Sequence, residues 1–155
     1  MGNSNTTQSY TSNSMEELVK ENLFPSAHND SENCQQLTKL LSTNAEEIAQ
    51  VLCKERALKN TQIRRFYNEV QRLDRQLRCQ YQQDKSTAFE KILPHIKLLR
   101  ARVAFASSRE NGSFTPAFRT FLDKRIEQIT SIEDFRAFLL HFEAVLGFFS
   151  YKNRG

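Results

Sequence analysis

Thr61-Gln62-Ile63-Arg64-Arg65-Phe66-Tyr67-Asn68-Glu69-Val70-Gln71-Arg72-Leu73-Asp74-Arg75-Gln76-Leu77-Arg78-Cys79-Gln80 is the stretch on which the fold turns. Its apolar residues Ile63, Phe66, Val70, Leu73 and Leu77 recur at three- and four-residue spacing. That is the repeat of one helix face, not the alternation of a strand. With Arg64 at zero and about 100° per residue, Arg64, Arg65, Arg72, Arg75 and Arg78 fall within roughly 140° on the opposite side. Asn68 and Gln71 share that arc, and Glu69 and Asp74 lie on its flanks. The spacing predicts an amphipathic helix with a core side and a basic side.

Working outward, Lys59-Asn60-Thr61 reads as the break before this helix, with Asn60 or Thr61 as its N-cap. Upstream, a helix is expected from about Gln35 to Leu41, continuing or kinking near Ser42. Thr43 and Glu46 have capping-box spacing for a helix through about Arg56. Downstream, Gln82 to Thr87 is a polar turn, followed by a long segment from about Thr87 to Arg109. Pro94 should kink that segment or mark a new start. Asn111-Gly112-Ser113 is a stop, and Thr115-Pro116 opens a helix to about Ile129. Ser131, with Asp134 three residues on, opens the last helix, to about Tyr151. Along it Ile132, Phe135, Phe138, Leu139, Phe142, Val145, Leu146 and Phe149 form one apolar stripe. The 155-residue chain holds only four Gly and three Pro, which favours helices over a sandwich or barrel. The fold class expected is all-α, a compact bundle of about five to six helices over residues 35–155.

Residues 1–34 read as a flexible polar and acidic tail with a possible short helix at 15–23. Met1-Gly2-Asn3-Ser4-Asn5-Thr6 matches the N-myristoylation pattern, a match that chance in a polar tail also produces. No secretory pattern and no apolar run near the roughly 20 residues of a membrane span is evident, so a cytoplasmic protein is expected. Cys34, Cys53 and Cys79 have no metal-ligand spacing and read as free thiols.

Charge is distributed unevenly. Residues 1–34 carry one Lys against five acidic residues, net −4. The remainder carries 21 basic against 13 acidic residues, net +8. A basic globular part behind an acidic tail makes nucleic acid the leading partner. Arginine strengthens that reading, because its planar fork suits phosphate oxygens and stacks on bases. The spacing alone also permits a solvated face paired with carboxylates of a neighbouring helix. It equally permits a protein–protein adaptor whose arginines meet an acidic partner. A DNA-binding regulator fits less well, because no helix-turn-helix spacing is evident.

The residues that carry enzyme chemistry are missing. His28, His95 and His141 form no i,i+4 pair, and no HExxH, Walker A, GxGxxG or GxSxG pattern occurs. No catalytic residue, metal or cofactor is expected. His141 reads as a flank residue beside the Phe-rich stripe. Four apolar residues lie off their stripes: Leu98 and Phe105, and Leu140 and Phe148. For Leu140 and Phe148, ordinary exposure or a subunit contact explains the position equally well. For Leu98 and Phe105, the helix is either central in the bundle or covered by a partner.

Three segments resemble one family. Leu58-Lys59-Asn60-Thr61-Gln62-Ile63-Arg64-Arg65-Phe66-Tyr67 is similar to the "LKxSQIRKFY" signature of the small subunit of type III-A CRISPR (Csm) effector complexes. Arg102-Val103-Ala104-Phe105-Ala106 with Arg109 resembles its "KLAYAxxR" segment, and Phe135 to Phe149 its C-terminal "FxxFxxFFEAIxAY" helix. The matches occur in order over about residues 45 to 151. The first 35 residues match no part of it. The resemblance implies a helical bundle without an active site that stacks inside a filament of backbone subunits. There it would help to hold guide RNA and target RNA, with the backbone and large subunits and further copies of itself as partners. By position, Lys59, Arg64, Arg65, Arg102 and Arg109 are the basic residues that the resemblance supports. Arg72, Arg75 and Arg78 rest on the face periodicity alone. Phe105 stands where the family often has Tyr, which removes a hydroxyl.

Overall fold

In a computed structural model of the chain, described over residues 14–23, 30–108 and 114–153, the stripe opposite the arginines is the buried side of its helix. Among the described residues six helices form an all-α bundle: α1 (Asp30–Leu41), α2 (Thr43–Cys53), α3 (Asn60–Gln83), α4 (Ala88–Ser108), α5 (Pro116–Glu127) and α6 (Ile132–Lys152). A short helical segment at 14–18 precedes them, and no strand occurs among the described residues.

The arginine helix α3 starts one or two residues before the expected caps. Lys59 is its extended N-cap, because the Gln62 Oε1 accepts the Lys59 N–H at 2.9 Å. At the other end it runs three residues past Gln80, to Gln83. Asp84 then stops it by accepting hydrogen bonds from Thr87 Oγ1 (2.7 Å), Ser86 Oγ (2.8 Å) and Ser86 N–H (3.1 Å). Those bonds hold the Asp84 carboxyl below the usual carboxylate range.

The last helix has the expected start. Ser131 Oγ accepts the Asp134 N–H at 3.1 Å, and Asp134 Oδ2 accepts from Thr130 N–H and Oγ1, each at 3.0 Å. Helix α6 makes its most extensive contact with α2 and also packs on α1 and α3. Phe142 is the hub of its buried stripe. Ring centroids of Tyr67, Phe121, Phe138, Phe66 and Phe118 lie 5.3 to 6.3 Å from it, in tilted, edge-on or stacked arrangements.

Three expectations shift. Helix α1 begins at Asp30 rather than Gln35, and only Ser42 separates it from α2. Helix α4 runs unbroken through Pro94, which is exposed, so the Glu90 carbonyl that loses its N–H partner also lies on the solvent side. The stretch 14–23 does not lie free: Met15, Val19 and Leu23, four residues apart, are fully buried. Arg125 on α5, only 1% exposed, ties the stretch down. Its guanidinium donates to Glu21 O at 2.8 Å, to Asn44 Oδ1 at 3.0 Å and to Gln128 Oε1 at 3.0 Å. Burial lowers the pKa of Arg125 to about 10. The myristoylation pattern lies outside the described residues.

His141 differs from its expectation as well. It is fully buried in the core rather than on the flank. Leu40 O, 2.6 Å away, can only accept, so Nδ1 carries the proton, and the ring packs edge-on to Phe121. Burial, reinforced by the Arg125 charge, pulls its pKa down to about 3.

Two measurements check this core. Phe142→Ala should lose about 3–5 kcal/mol in urea unfolding, because the ring is shared by several helices. His141 is neutral when folded and protonates near pH 6.5 when unfolded. Its contribution is therefore complete above about pH 6.5 and is lost progressively down to about pH 3. Across that window wild type should lose about 1.4 kcal/mol per pH unit relative to His141→Gln. Parallel stability curves for the two proteins would contradict the buried neutral imidazole.

Candidate nucleic-acid interface

Burial of Ile63, Phe66, Val70, Leu73 and Leu77 turns the other side of α3 to solvent. Arg64, Arg65, Arg72, Arg75, Arg78 and Asn68 are all exposed there. They are not equivalent. Arg72 donates to Glu69 Oε2 at 3.1 Å, and Arg78 pairs with Asp74 at 2.9 Å. Among the described residues Arg64, Arg65 and Arg75 have no ion-pair partner. Both carboxylates that pair belong to α3 itself, so among the described residues no neighbouring helix neutralises the face. The flank positions of Glu69 and Asp74 do not keep them away, because an arginine reaches back one turn to either.

Helix α4 adds to the face. Arg102 Nη1 donates to the same Glu69 Oε2 at 3.3 Å, which sets Arg102 beside Arg72. One carboxylate thus holds two guanidinium groups, and the patch stays positive. Lys59 is exposed at the start of α3. Arg109 lies outside the described residues.

Other cations are committed to the fold. Lys97 Nζ donates to the carbonyls of Ile129 (2.7 Å), Ile126 (3.0 Å) and Glu127 (3.2 Å), and so caps the end of α5. Burial lowers its pKa. Arg100 pairs with Asp123 at 2.8 Å between α4 and α5.

Sequence periodicity missed a cleft of about 270 Å³ between α3 and α4. Buried Phe66 and Leu99 floor it, with Phe114 beside them, and exposed Arg65, Arg102 and Phe105 form its rim. The signal available in the sequence was Phe105, apolar and off the α4 stripe; it is 62% exposed. Leu98, also off that stripe, is 45% exposed. On α6, Leu140 is exposed and Phe148 is half-buried against the core.

Among the described residues no group of three or more His, Cys, Asp and Glu could hold a metal ion. No described helix is long and apolar enough to cross a membrane. Residues 35–154 match the Csm2 Type III-A family. The chain belongs to that family. It is therefore a small subunit of type III-A CRISPR effector complexes. No curated protein and no solved structure matches it significantly. Both basic helices and the whole cleft fall inside the region shared with Csm2. The buried segment at 14–23 precedes it.

The paired arginines give a direct check. Glu69 and its two partners are each more than 40% exposed, so the pairs contribute little to stability. Glu69→Gln should shift unfolding by less than about 1 kcal/mol. It should also raise the salt needed to elute the protein from a cation exchanger, because two guanidinium groups lose their carboxylate. A large loss of stability would show that Glu69 is a structural link between α3 and α4.

Proposed function

We propose that this Csm2 subunit is a non-catalytic scaffold that holds guide RNA and its paired target RNA by their backbones. Copies would stack along the complex beside the backbone and large subunits, in the cytoplasm. The observation that carries this reading is the one-sided basic face. Arg64, Arg65 and Arg75 are exposed and unpaired among the described residues, and Arg102 joins them from α4. Like charges held together without counter-charges repel, so such a face suits an anionic ligand. Phosphate backbones supply closely spaced charge, and arginine grips phosphate oxygens in pairs.

The roles divide by pairing. Arg64, Arg65 and Arg75 are ready to neutralise phosphates, with Lys59 and Arg109 as the further basic residues that the family resemblance supports. Arg72 and Arg102 are positioned by Glu69 and turn to phosphate by exchanging one oxygen partner for another. Arg78 contributes least, because Asp74 already holds it. Asn68 and Gln71 supply hydrogen bonds to phosphate or ribose hydroxyls. None of these contacts reads sequence, which suits a subunit that must accept any guide.

Binding should therefore be sequence-independent and weaken with salt, the log–log slope changing by roughly 0.7–0.9 per phosphate neutralised. In the assembled complex, Arg64→Glu with Arg65→Glu should weaken target RNA binding by at least about tenfold and flatten the salt slope by about one to two. Helix content should not change. Unchanged RNA affinity in that double variant would remove the face from the RNA path. A pulldown repeated after nuclease treatment separates the adaptor reading, since an acidic protein partner survives nuclease and an RNA bridge does not.

A further inference from the structure

Phosphate contacts leave the cleft between α3 and α4 unused. We propose that it receives a single unstacked nucleobase of the bound RNA. The proposal rests on the RNA-binding reading above and adds a second mode of contact to it.

The chemistry of the lining supports this occupant. The floor of Phe66 and Leu99 is buried and apolar, and the ring of Phe105 stands exposed at the rim. An aromatic ring beside an apolar floor is the platform on which unpaired bases stack, independent of their identity. Arg65 and Arg102 flank it, so a base on the platform brings its own phosphates to two guanidinium groups. That charge complementarity is what a peptide side chain of the same shape would lack.

Polar groups at the cleft suit a base edge as well. Gln62 Oε1 is already occupied by the Lys59 N–H, which leaves its amide N–H groups to donate to a ring carbonyl or ring nitrogen. Glu69 keeps acceptor capacity beyond its two arginine contacts and lines the same cleft. The volume, about 270 Å³, lies just under the roughly 300–1,000 Å³ of clefts that take drug-sized ligands. One planar base fits it, and a recognition helix, which needs an extended groove, does not. A base inside a duplex is stacked on both faces, so the occupant is a single-stranded or extruded nucleotide.

The full-length chain can be titrated with two single-stranded RNA oligonucleotides that carry equal numbers of phosphates. One bears adenines with a central 2-aminopurine, and the other is abasic. Wild type should bind the base-bearing strand about tenfold more tightly and quench the 2-aminopurine on stacking. Phe105→Ala should bring the ratio close to one and abolish the quenching, and Phe105→Tyr should restore both. The exposure of Phe105 keeps the fold intact in these variants. Equal, salt-sensitive binding of the two strands by wild type overturns the cleft assignment and leaves the phosphate reading standing. Binding of neither strand at low salt overturns both.

Discussion

Burial of the Phe142 ring between helices is the constraint on which the rest depends. Rings from α3, α5 and α6 itself converge on it, and α2 and α1 close over the same helix. The consequence for function is geometric. Phe66 packs against Phe142, so its neighbours Arg65 and Arg64, one and two steps of about 100° away, must turn outward. The same rotation sends Arg72 and Arg75 to the solvent side. Core packing thus aims the basic face, and loosening one would disorder the other.

Two kinds of arginine coexist in this small chain, and burial separates them. Arg125 is almost fully enclosed, and it donates to carbonyl and amide oxygens of Glu21, Asn44 and Gln128. Its cost of desolvation is offset by those bonds, and its job is to hold residues 14–23 on the bundle. Arg64, Arg65 and Arg75 keep their hydration and no counter-charge among the described residues, which leaves them able to exchange water for a phosphate. Exposed pairs such as Arg72–Glu69 lie between, weak enough to rearrange on binding. In a Csm2 small subunit this division lets one rigid scaffold carry an adaptable surface.

Much was legible in the chain itself. The three- and four-residue spacing of Ile63, Phe66, Val70, Leu73 and Leu77 determined a helix and the side it buries, because a helix repeats its face every turn. Ser131 with Asp134, and Thr115 before Pro116, marked helix starts that depend only on neighbouring residues. The family could be read from three motifs in order, because those motifs are linear.

Only the tertiary structure decided which arginines are paired, where 14–23 and His141 lie, and that α3 and α4 enclose a cleft. Each of these depends on groups distant in sequence. His141 meets Leu40 across 101 residues, and Arg102 meets Glu69 across 33. Periodicity assigns a residue to a face of its own helix and is silent about what faces it from elsewhere. It therefore placed the basic side of α3 correctly, while the partner that holds Arg102 there, and the ring-floored cleft beside it, exist only once the two helices are packed together.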